Sequence, residues 1–468
     1  MEKLSVLKEV FGYSEFRGEQ EAIIDAVLQR KNSLVIMPTG MGKSLCYQLP
    51  ARILGGLTLV VSPLIALMKD QVDQISRQGF RAGFINSSLD RGAREKSYLK
   101  LSQGEFEILY VTPERFRKPE FLSALKKNAI KLLAIDEAHC ISEWGNDFRP
   151  DYSRLGEIRK SLGAPPTMAL TATATPEVRE DILKQLDIRE GAQIFIYGIE
   201  RPNLFVRVTD LHGFESKLKR FLEIRKTQSG AMILYFSLVS TLEEFSRALD
   251  KAQMPHVTYH GQLPQNIRRN NQEMFLASQE GLILATPAFG LGINKENIRS
   301  VVHGELPGSI ESFYQEIGRA GRDGDEAYCE LLYDQDDITI QMDFIKWSNP
   351  DPNFITATYR LIKNNTARFK QQGLDYLRGQ MNFYNKRDYR VETAVNLLKR
   401  WDCIGETFQD PSGEFVEKTL FEKRIRNQNK KLLDLVQLIK SEDCRKKIIY
   451  AYFGVNSIDC GRCDNCKG

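Results

Sequence analysis

Met37-Pro38-Thr39-Gly40-Met41-Gly42-Lys43-Ser44 follows a short apolar run at 33–37 and precedes a helical pattern. Strand, glycine turn and helix in that order form a phosphate loop. Backbone N–H groups and the helix N-terminus cradle the phosphates of a bound nucleotide. In such a loop Thr39, Gly40, Met41 and Gly42 wrap the nucleotide, Lys43 reaches its β- and γ-phosphates, and Ser44 holds Mg2+. The strict form of the motif has glycine where Met37 stands, so what carries the reading is Thr39-Gly40-x-Gly42-Lys43-Ser44 and its place after a strand.

Working outward, short Val-, Ile- and Leu-rich runs alternate with amphipathic helical patterns as far as residue 345. Strands are expected at 33–37, 57–62, 108–112, 132–136 and 167–171, and again at 232–236, 256–259, 281–285, 300–303 and 328–332. That alternation implies parallel sheets covered by helices on both faces. Two sets of five, separated by residues 198–209, imply two α/β domains. Ser348-Asn349-Pro350-Asp351-Pro352-Asn353 reads as a linker, because its prolines cannot continue a helix. Beyond it the chain is mostly helical.

Bulk properties agree with a multidomain globular protein. The 468 residues exceed one ordinary core, and 42% hydrophobic with 27% charged residues excludes a disordered or fibrous chain. Met1-Glu2-Lys3-Leu4 does not open a signal peptide, and no run is apolar enough to cross a bilayer, so a cytoplasmic protein is expected. The net charge is +4; residues 351–468 carry about +7 of it and residues 1–350 about −3, which points to phosphate contacts near the C-terminal end.

Asp136-Glu137-Ala138-His139 ends the apolar run at 132–135. Asp136 there can hold Mg2+ through water, and Glu137 can polarise the attacking water. Gln315-Glu316-Ile317-Gly318-Arg319-Ala320-Gly321-Arg322 sets two arginines three residues apart, which on a helix puts both on one face. Arginine suits the charge of a transferring γ-phosphate. A site divided between two domains would couple hydrolysis to their closing and opening.

Of the eight cysteines, Cys444-x15-Cys460-x2-Cys463-x2-Cys466 has the spacing of a closed four-thiolate Zn2+ site.

Taken together these residues resemble the RecQ-type DNA helicases of superfamily 2. The resemblance covers residues 10–335. It includes Phe11-Gly12-Tyr13 with Phe16, Arg17 and Gln20, the phosphate loop, and Ser62-Pro63-Leu64-Ile65-Ala66-Leu67-Met68-Lys69-Asp70-Gln71. It continues through the Asp-Glu-Ala-His box, Ala169-Leu170-Thr171-Ala172-Thr173-Ala174 and the arginine motif. It implies two RecA-like motor domains, with Tyr13, Arg17 and Gln20 recognising adenine. It makes Lys43, Asp136, Glu137, Gln315, Arg319 and Arg322 the catalytic set, and His139, Thr171 and Thr173 the link from hydrolysis to DNA movement. Trp144, Phe148 and Arg149 lie in Cys140-Ile141-Ser142-Glu143-Trp144-Gly145-Asn146-Asp147-Phe148-Arg149-Pro150, which resembles the family's aromatic-rich DNA-binding loop. Stacking on bases tolerates any sequence. Asn146 stands where the family usually has histidine, and Met41 where it usually has glycine.

The expected organisation is a first motor domain at 1–200, a second at 201–347, a winged helix or helical insert at 348–420, and a helical zinc module at 421–468. The winged helix would use helices at 353–363, 366–382 and 390–401, then a hairpin of 404–409 with 414–420, with Lys386, Arg387 and Arg390 beside its third helix. The family's zinc module usually follows the motor directly and has further domains after it. Here an insert intervenes, and those later domains are not expected in this sequence. The implied activity is ATP- and Mg2+-dependent 3′-to-5′ translocation on single-stranded DNA with duplex unwinding at junctions or overhangs, in recombination or repair, in the cytoplasm or at a bacterial nucleoid. Alternatives are an RNA helicase or remodeller of the same superfamily, and a DNA-binding regulatory protein whose motor has decayed.

Overall fold

The computed structural model describes residues 2–38, 40–142, 150–290, 295–382, 384, 388–401, 403–404, 408, 411 and 418–466. They fall into two compact units: Met1–Gly304 with Glu311–Leu332 and Ser441–Gly468, and Glu305–Ile310 with Tyr333–Lys440.

The first unit holds two sheets. Its strands in chain order are β1 (Ser33–Ile36), β2 (Leu57–Val61), β3 (Ala82–Ile85), β4 (Ile108–Val111), β5 (Ile130–Ile135), β6 (Thr167–Thr171) and β7 (Gln193–Ile196), then β8 (Leu204–Asp210), β9 (Ala231–Tyr235), β10 (Val257–Tyr259), β11 (Leu282–Ala285), β12 (Ile298–His303) and β13 (Ala327–Tyr333). Among the described residues the first lobe's sheet runs β3-β4-β2-β5-β6-β1-β7 and the second lobe's runs β10-β11-β9-β12-β13-β8.

The ten expected strands are present, together with three that the apolar runs do not announce: β3, β7 and β8. All three lie at sheet edges. An edge strand is covered on fewer sides, so it lacks the continuous apolar run that marks a buried strand. In β7 the burial alternates, with Ile194 and Ile196 exposed. β8 occupies much of the stretch at 198–209 that reads in sequence as a separator.

Central strands are mostly buried, and Val35, Val60, Ala134 and Leu170 join one apolar core under the first sheet. Met232, Leu234, Leu284 and Val302 do the same in the second lobe. Each of the Val, Leu and Met side chains among them contributes about 1.5–3 kcal/mol on burial, which makes the strand ends rigid mounts for polar groups. β6 lies between β1 and β5, all three parallel. The carboxyl ends of these three strands therefore converge, as ligand sites do in open α/β sheets.

The second unit is helical. Asp351 caps the helix Pro352–Asn364 by accepting from Asn353 N at 2.9 Å and Phe354 N at 3.0 Å, with Pro352 in the first turn. The expected linker is thus only a short break after the helix Asp337–Ser348. Ile355, Tyr359, Leu377, Val391 and Leu398 form the core. Two expectations for the winged helix need correction. The helix expected at 366–382 is divided into Thr366–Gln372 and Leu374–Met381 by Gly373, at φ +60°. Ile404 forms an isolated antiparallel bridge with Phe408, and residues 405–407 and 409–410 lie outside the described residues. Residues 418–420 of the expected second strand begin the helix Lys418–Lys440 instead. Residues 412–417, Lys386 and Arg387 lie outside the described residues.

Among the described residues no helix is long and apolar enough to cross a membrane.

Candidate functional site: a divided nucleotide cleft and a four-cysteine cluster

The turn after β1 requires glycine at two points. Gly40 has φ +90° and Gly42 φ +83°, a left-handed region that other residues rarely adopt. The chain then enters the helix Leu45–Leu54, with Ser44 at its N-cap and no side-chain capping bond there. The Ser44 hydroxyl is thus not used in capping. Lys43 Nζ is buried and has no hydrogen-bond partner among the described residues. A buried ammonium without a partner is costly, and a phosphate oxygen would satisfy it.

Gln20 braces this turn. Its Nε2 donates to Met41 O at 3.2 Å and Gly42 O at 3.4 Å, and its Oε1 accepts from Arg17 N at 2.9 Å. A Cβ on Gly42 would lie 2.4 Å from Gln20 Nε2, so the close approach also excludes a side chain. Tyr13 and Arg17 are exposed nearby in sequence. Thr39 lies outside the described residues.

Asp136 and Glu137 leave the end of β5. Glu137 is left-handed at φ +49° and ψ +45°, a strained position for a non-glycine residue, and its N–H donates to Asp136 Oδ1 at 3.0 Å. Tyr152 OH holds Asp136 O at 3.1 Å from the far side. Loss of hydration and the adjacent Glu137 carboxylate push the Asp136 carboxyl up to about 6, against the pull of Lys43. A divalent cation would oppose that shift, so this donor set suits Mg2+.

A polar route leads from here to the second lobe. His139 Nδ1 lies 3.4 Å from Glu137 Oε2 and 2.9 Å from Thr171 Oγ1. Thr171 Oγ1 donates to Thr173 O at 3.1 Å, and Gln315 Nε2 donates to Thr173 Oγ1 at 2.8 Å. Thr171 ends β6 and Gln315 sits on the helix Ile310–Ile317 of the second lobe.

The arginine pair is placed differently from the expectation. The helix stops at Ile317, and Arg319 and Arg322 stand in the turns after it, not on a helical face. Glycine cannot sustain the helix well at 318 and 321, and Gly321 adopts φ +55°. Arg319 Nη1 donates to Gly290 O. Arg322 reaches the phosphate loop: a Cβ on Gly40 would lie 2.7 Å from Arg322 Cδ. Burial, then the charges of Arg319 and Arg201, lower the Arg322 guanidinium to about 9. Crowded cations of this kind favour an anion among them. A cleft of about 180 Å3 opens here, lined by Gly40, Met41, Gly198, Glu200, Arg201 and Arg322 among others.

Cys444, Cys460, Cys463 and Cys466 have their sulfurs within 4.8 Å of one another. Cys444 Sγ and Cys463 Sγ are 3.9 Å apart. A tetrahedron of thiolates about 2.3 Å from Zn2+ needs edges of about 3.8 Å, so the set fits that ion. Cys460 N donates to Cys444 Sγ and Arg462 N to Cys460 Sγ, both at 3.3 Å, as expected around thiolates. The cluster is fixed to the second lobe's edge strand: Val206 N donates to Arg462 O at 3.3 Å and Val208 N to Asp464 Oδ2 at 3.0 Å.

Trp144, Phe148 and Arg149 lie outside the described residues. Arg201, Asn203 and Tyr152 carry no signal that singles them out in sequence. Arg201-Pro202-Asn203 carries charge and a turn former in a stretch that looks like a linker, and only packing reveals that Arg201 is buried.

Three family profiles match in succession: DEAD/DEAH box helicase at residues 17–182, helicase conserved C-terminal domain at 215–324, and RecQ zinc-binding at 413–467. The ATP-dependent DNA helicase RecQ of Haemophilus influenzae is 43% identical over 334 residues, 71% of this chain and 54% of that protein. The probable ATP-dependent DNA helicase RecS of Bacillus subtilis is 35% identical over 450 residues, 96% of this chain and 87% of that protein. The chain therefore spans about half the length of the first relative and most of the second. Among solved structures, the DUF1998 helicase MrfA bound to DNA superposes with a TM-score of 0.58 at 18% identity, over 72% of this chain and 51% of that one; this likeness concerns the fold.

Proposed function

The chain belongs to the RecQ family of helicases, and from that premise we propose that it is an ATP- and Mg2+-dependent DNA helicase. It moves along single-stranded DNA, 3′-to-5′ by the family resemblance, and separates duplexes at overhangs or junctions in recombination or repair. The observation that carries this reading is the packing of Gly40 in the phosphate loop against Arg322 of the other lobe. A nucleotide in that cleft touches both lobes, so its hydrolysis can change how they grip a strand.

In this reading Lys43 binds the β- and γ-phosphates, Ser44 and Asp136 hold Mg2+, and Glu137 orients the attacking water. Arg319 and Arg322 balance the charge of the transferring phosphoryl group. Gln20, with Tyr13 and Arg17, holds the adenine. Glu137, His139, Thr171, Thr173 and Gln315 form the link between lobes, supported by the distances along that route. Trp144, Phe148 and Arg149 contact unpaired bases. Cys444, Cys460, Cys463 and Cys466 hold a structural Zn2+.

The test is strand separation on overhang, fork and four-way substrates, with ATPase rates on matched DNA and RNA. Stimulation by DNA with unwinding of at least one substrate supports the reading. Stimulation by RNA alone, or unwinding unchanged in Lys43→Ala, overturns it.

A further inference from the structure

Arg201 joins the cysteine cluster to the arginine pair. Its guanidinium donates to three backbone carbonyls of the arginine turn: Nη1 to Gly318 O at 3.2 Å, and Nη2 to Ala320 O at 2.7 Å and Gly321 O at 2.9 Å. These carbonyls flank Arg319 and lead directly into Arg322. Gly321 O also accepts from Asn203 Nδ2 at 2.8 Å, and the turn is tied by Gly321 N to Ile298 O at 2.9 Å, but among the described residues Arg201 is the side chain that bonds to Gly318 O and Ala320 O, on either side of Arg319.

The backbone of Arg201 is in turn clamped from the cluster. Arg201 N donates to Tyr450 OH at 2.9 Å, and Lys446 Nζ donates to Arg201 O at 2.9 Å. Tyr450 and Lys446 both lie on the helix Arg445–Tyr452, whose N-cap is Cys444. Arg445 pins that helix to the other cysteines through Asp464 Oδ1 at 3.1 Å and Asn465 Oδ1 at 3.0 Å. Arg201, Lys446 and Tyr450 are all buried. The buried Lys446 ammonium lies within the field of the Cys460 and Cys463 thiols and donates to the carbonyl of Arg201, so it ties the cluster to that backbone.

We propose that Arg201 is a positioning residue for Arg319 and Arg322, and that the four-cysteine module sets its place through Tyr450 and Lys446. The module then acts on ATP hydrolysis as well as on folding. A metal held by the four cysteines would fix Cys444; the helix carries Tyr450 and Lys446, these hold the backbone at 201, and its guanidinium braces the turn. The inference rests on the ATP-hydrolysing reading of the cleft. Phosphoryl transfer is sensitive to the placement of its cationic groups, so a small displacement lowers kcat more than it weakens binding.

The test uses the full chain with Tyr450→Phe, Lys446→Met, Arg201→Ala and the Arg201→Ala/Tyr450→Phe pair. Zinc content, binding of a non-hydrolysable ATP analogue, DNA-stimulated ATPase and hydrogen exchange over residues 318–322 are measured. Tyr450→Phe should keep its zinc and lower kcat about tenfold with KM within about twofold, and Arg201→Ala should lower kcat about a hundredfold. The pair should equal Arg201→Ala alone, since both act by one route. Exchange at 318–322 should quicken in each variant. If Arg201→Ala does not fold, Tyr450→Phe and Lys446→Met decide: together they should exceed neither alone by more than about twofold. Wild-type kcat and exchange in Tyr450→Phe, a multiplicative loss in the pair, or a loss that follows zinc content overturn the link alone. A wild-type chain that does not hydrolyse ATP overturns the parent reading and the link with it.

Discussion

On the first lobe, Lys43, Asp136 and Thr171 follow or end strands whose central side chains are wholly buried, and each inherits the rigidity of a sheet. On the second lobe, Arg319 and Arg322 stand in turns beyond a helix end, held by bonds to Gly290 and from Arg201. The two halves of the cleft thus differ in how firmly the fold alone determines them. The half that carries Lys43 and Asp136 is preformed by sheet packing. The half that carries Arg319 and Arg322 is held in turns by hydrogen bonds, among them Gly321 N to Ile298 O at 2.9 Å and Arg322 N to Glu296 O at 3.1 Å. In the proposed motor that asymmetry would make catalysis wait for one half to be placed against the other.

The largest predicted effect tests the asymmetry directly. Arg322→Ala should lower ATPase kcat about a thousandfold while leaving nucleotide affinity within a few-fold, since the arginine acts chiefly on the transferring charge. Lys43→Ala should lose kcat by a similar factor and lose affinity as well. Equal affinity losses in the two variants would show that both halves bind the ground state alike. The readouts are steady-state ATPase and equilibrium binding of a fluorescent analogue.

Next comes the link between halves. Gln315→Ala removes the donor to Thr173 Oγ1. DNA stimulation of the ATPase should fall about tenfold while the DNA-independent rate holds within about twofold. An equal fall in both rates would make Gln315 part of the hydrolytic centre instead.

The first half alone should respond to acid. The Asp136 carboxyl ionises at about 6, raised by lost hydration and by Glu137. Protons therefore compete with Mg2+ as pH falls through that value. Between about pH 7.5 and pH 5.5 the half-saturating Mg2+ concentration should rise several-fold, with the rate largely recovered at saturating Mg2+. An unchanged Mg2+ requirement would remove Asp136 from the metal site. The smallest effect lies outside the cleft. Asp351→Ala should cost about 1 kcal/mol in the helical unit by removing its capping bonds, read as a lowered Tm, with ATPase kcat unchanged.

Much of the cleft is legible in the amino-acid sequence. Phosphate loops and acidic strand ends depend on local chemistry, and glycines at 40 and 42 announce backbone that must turn left-handed. Buried strands announce themselves by unbroken apolar runs. Edge strands β3, β7 and β8 do not, because half-covered backbone tolerates mixed residues. The arginine turn reads as a helical face because three-residue spacing is compatible with a helix, while the glycines at 318 and 321 end it. The expected hairpin at 404–420 rests on a turn-rich stretch, Asp410-Pro411-Ser412-Gly413, which marks a break without saying what precedes or follows it.

By itself the sequence determined that this is a two-lobed α/β chain with a phosphate loop, an acidic pair, two arginines and four cysteines, because each rests on residues close together in the chain. The tertiary structure alone decided that Gly40 meets Arg322, that Thr173 meets Gln315, and that Lys446 and Tyr450 meet Arg201. The partners in each pair are far apart along the chain, and no local periodicity or motif encodes their meeting. They arise only when packed sheets and helices bring distant polar groups to places where each must find a partner.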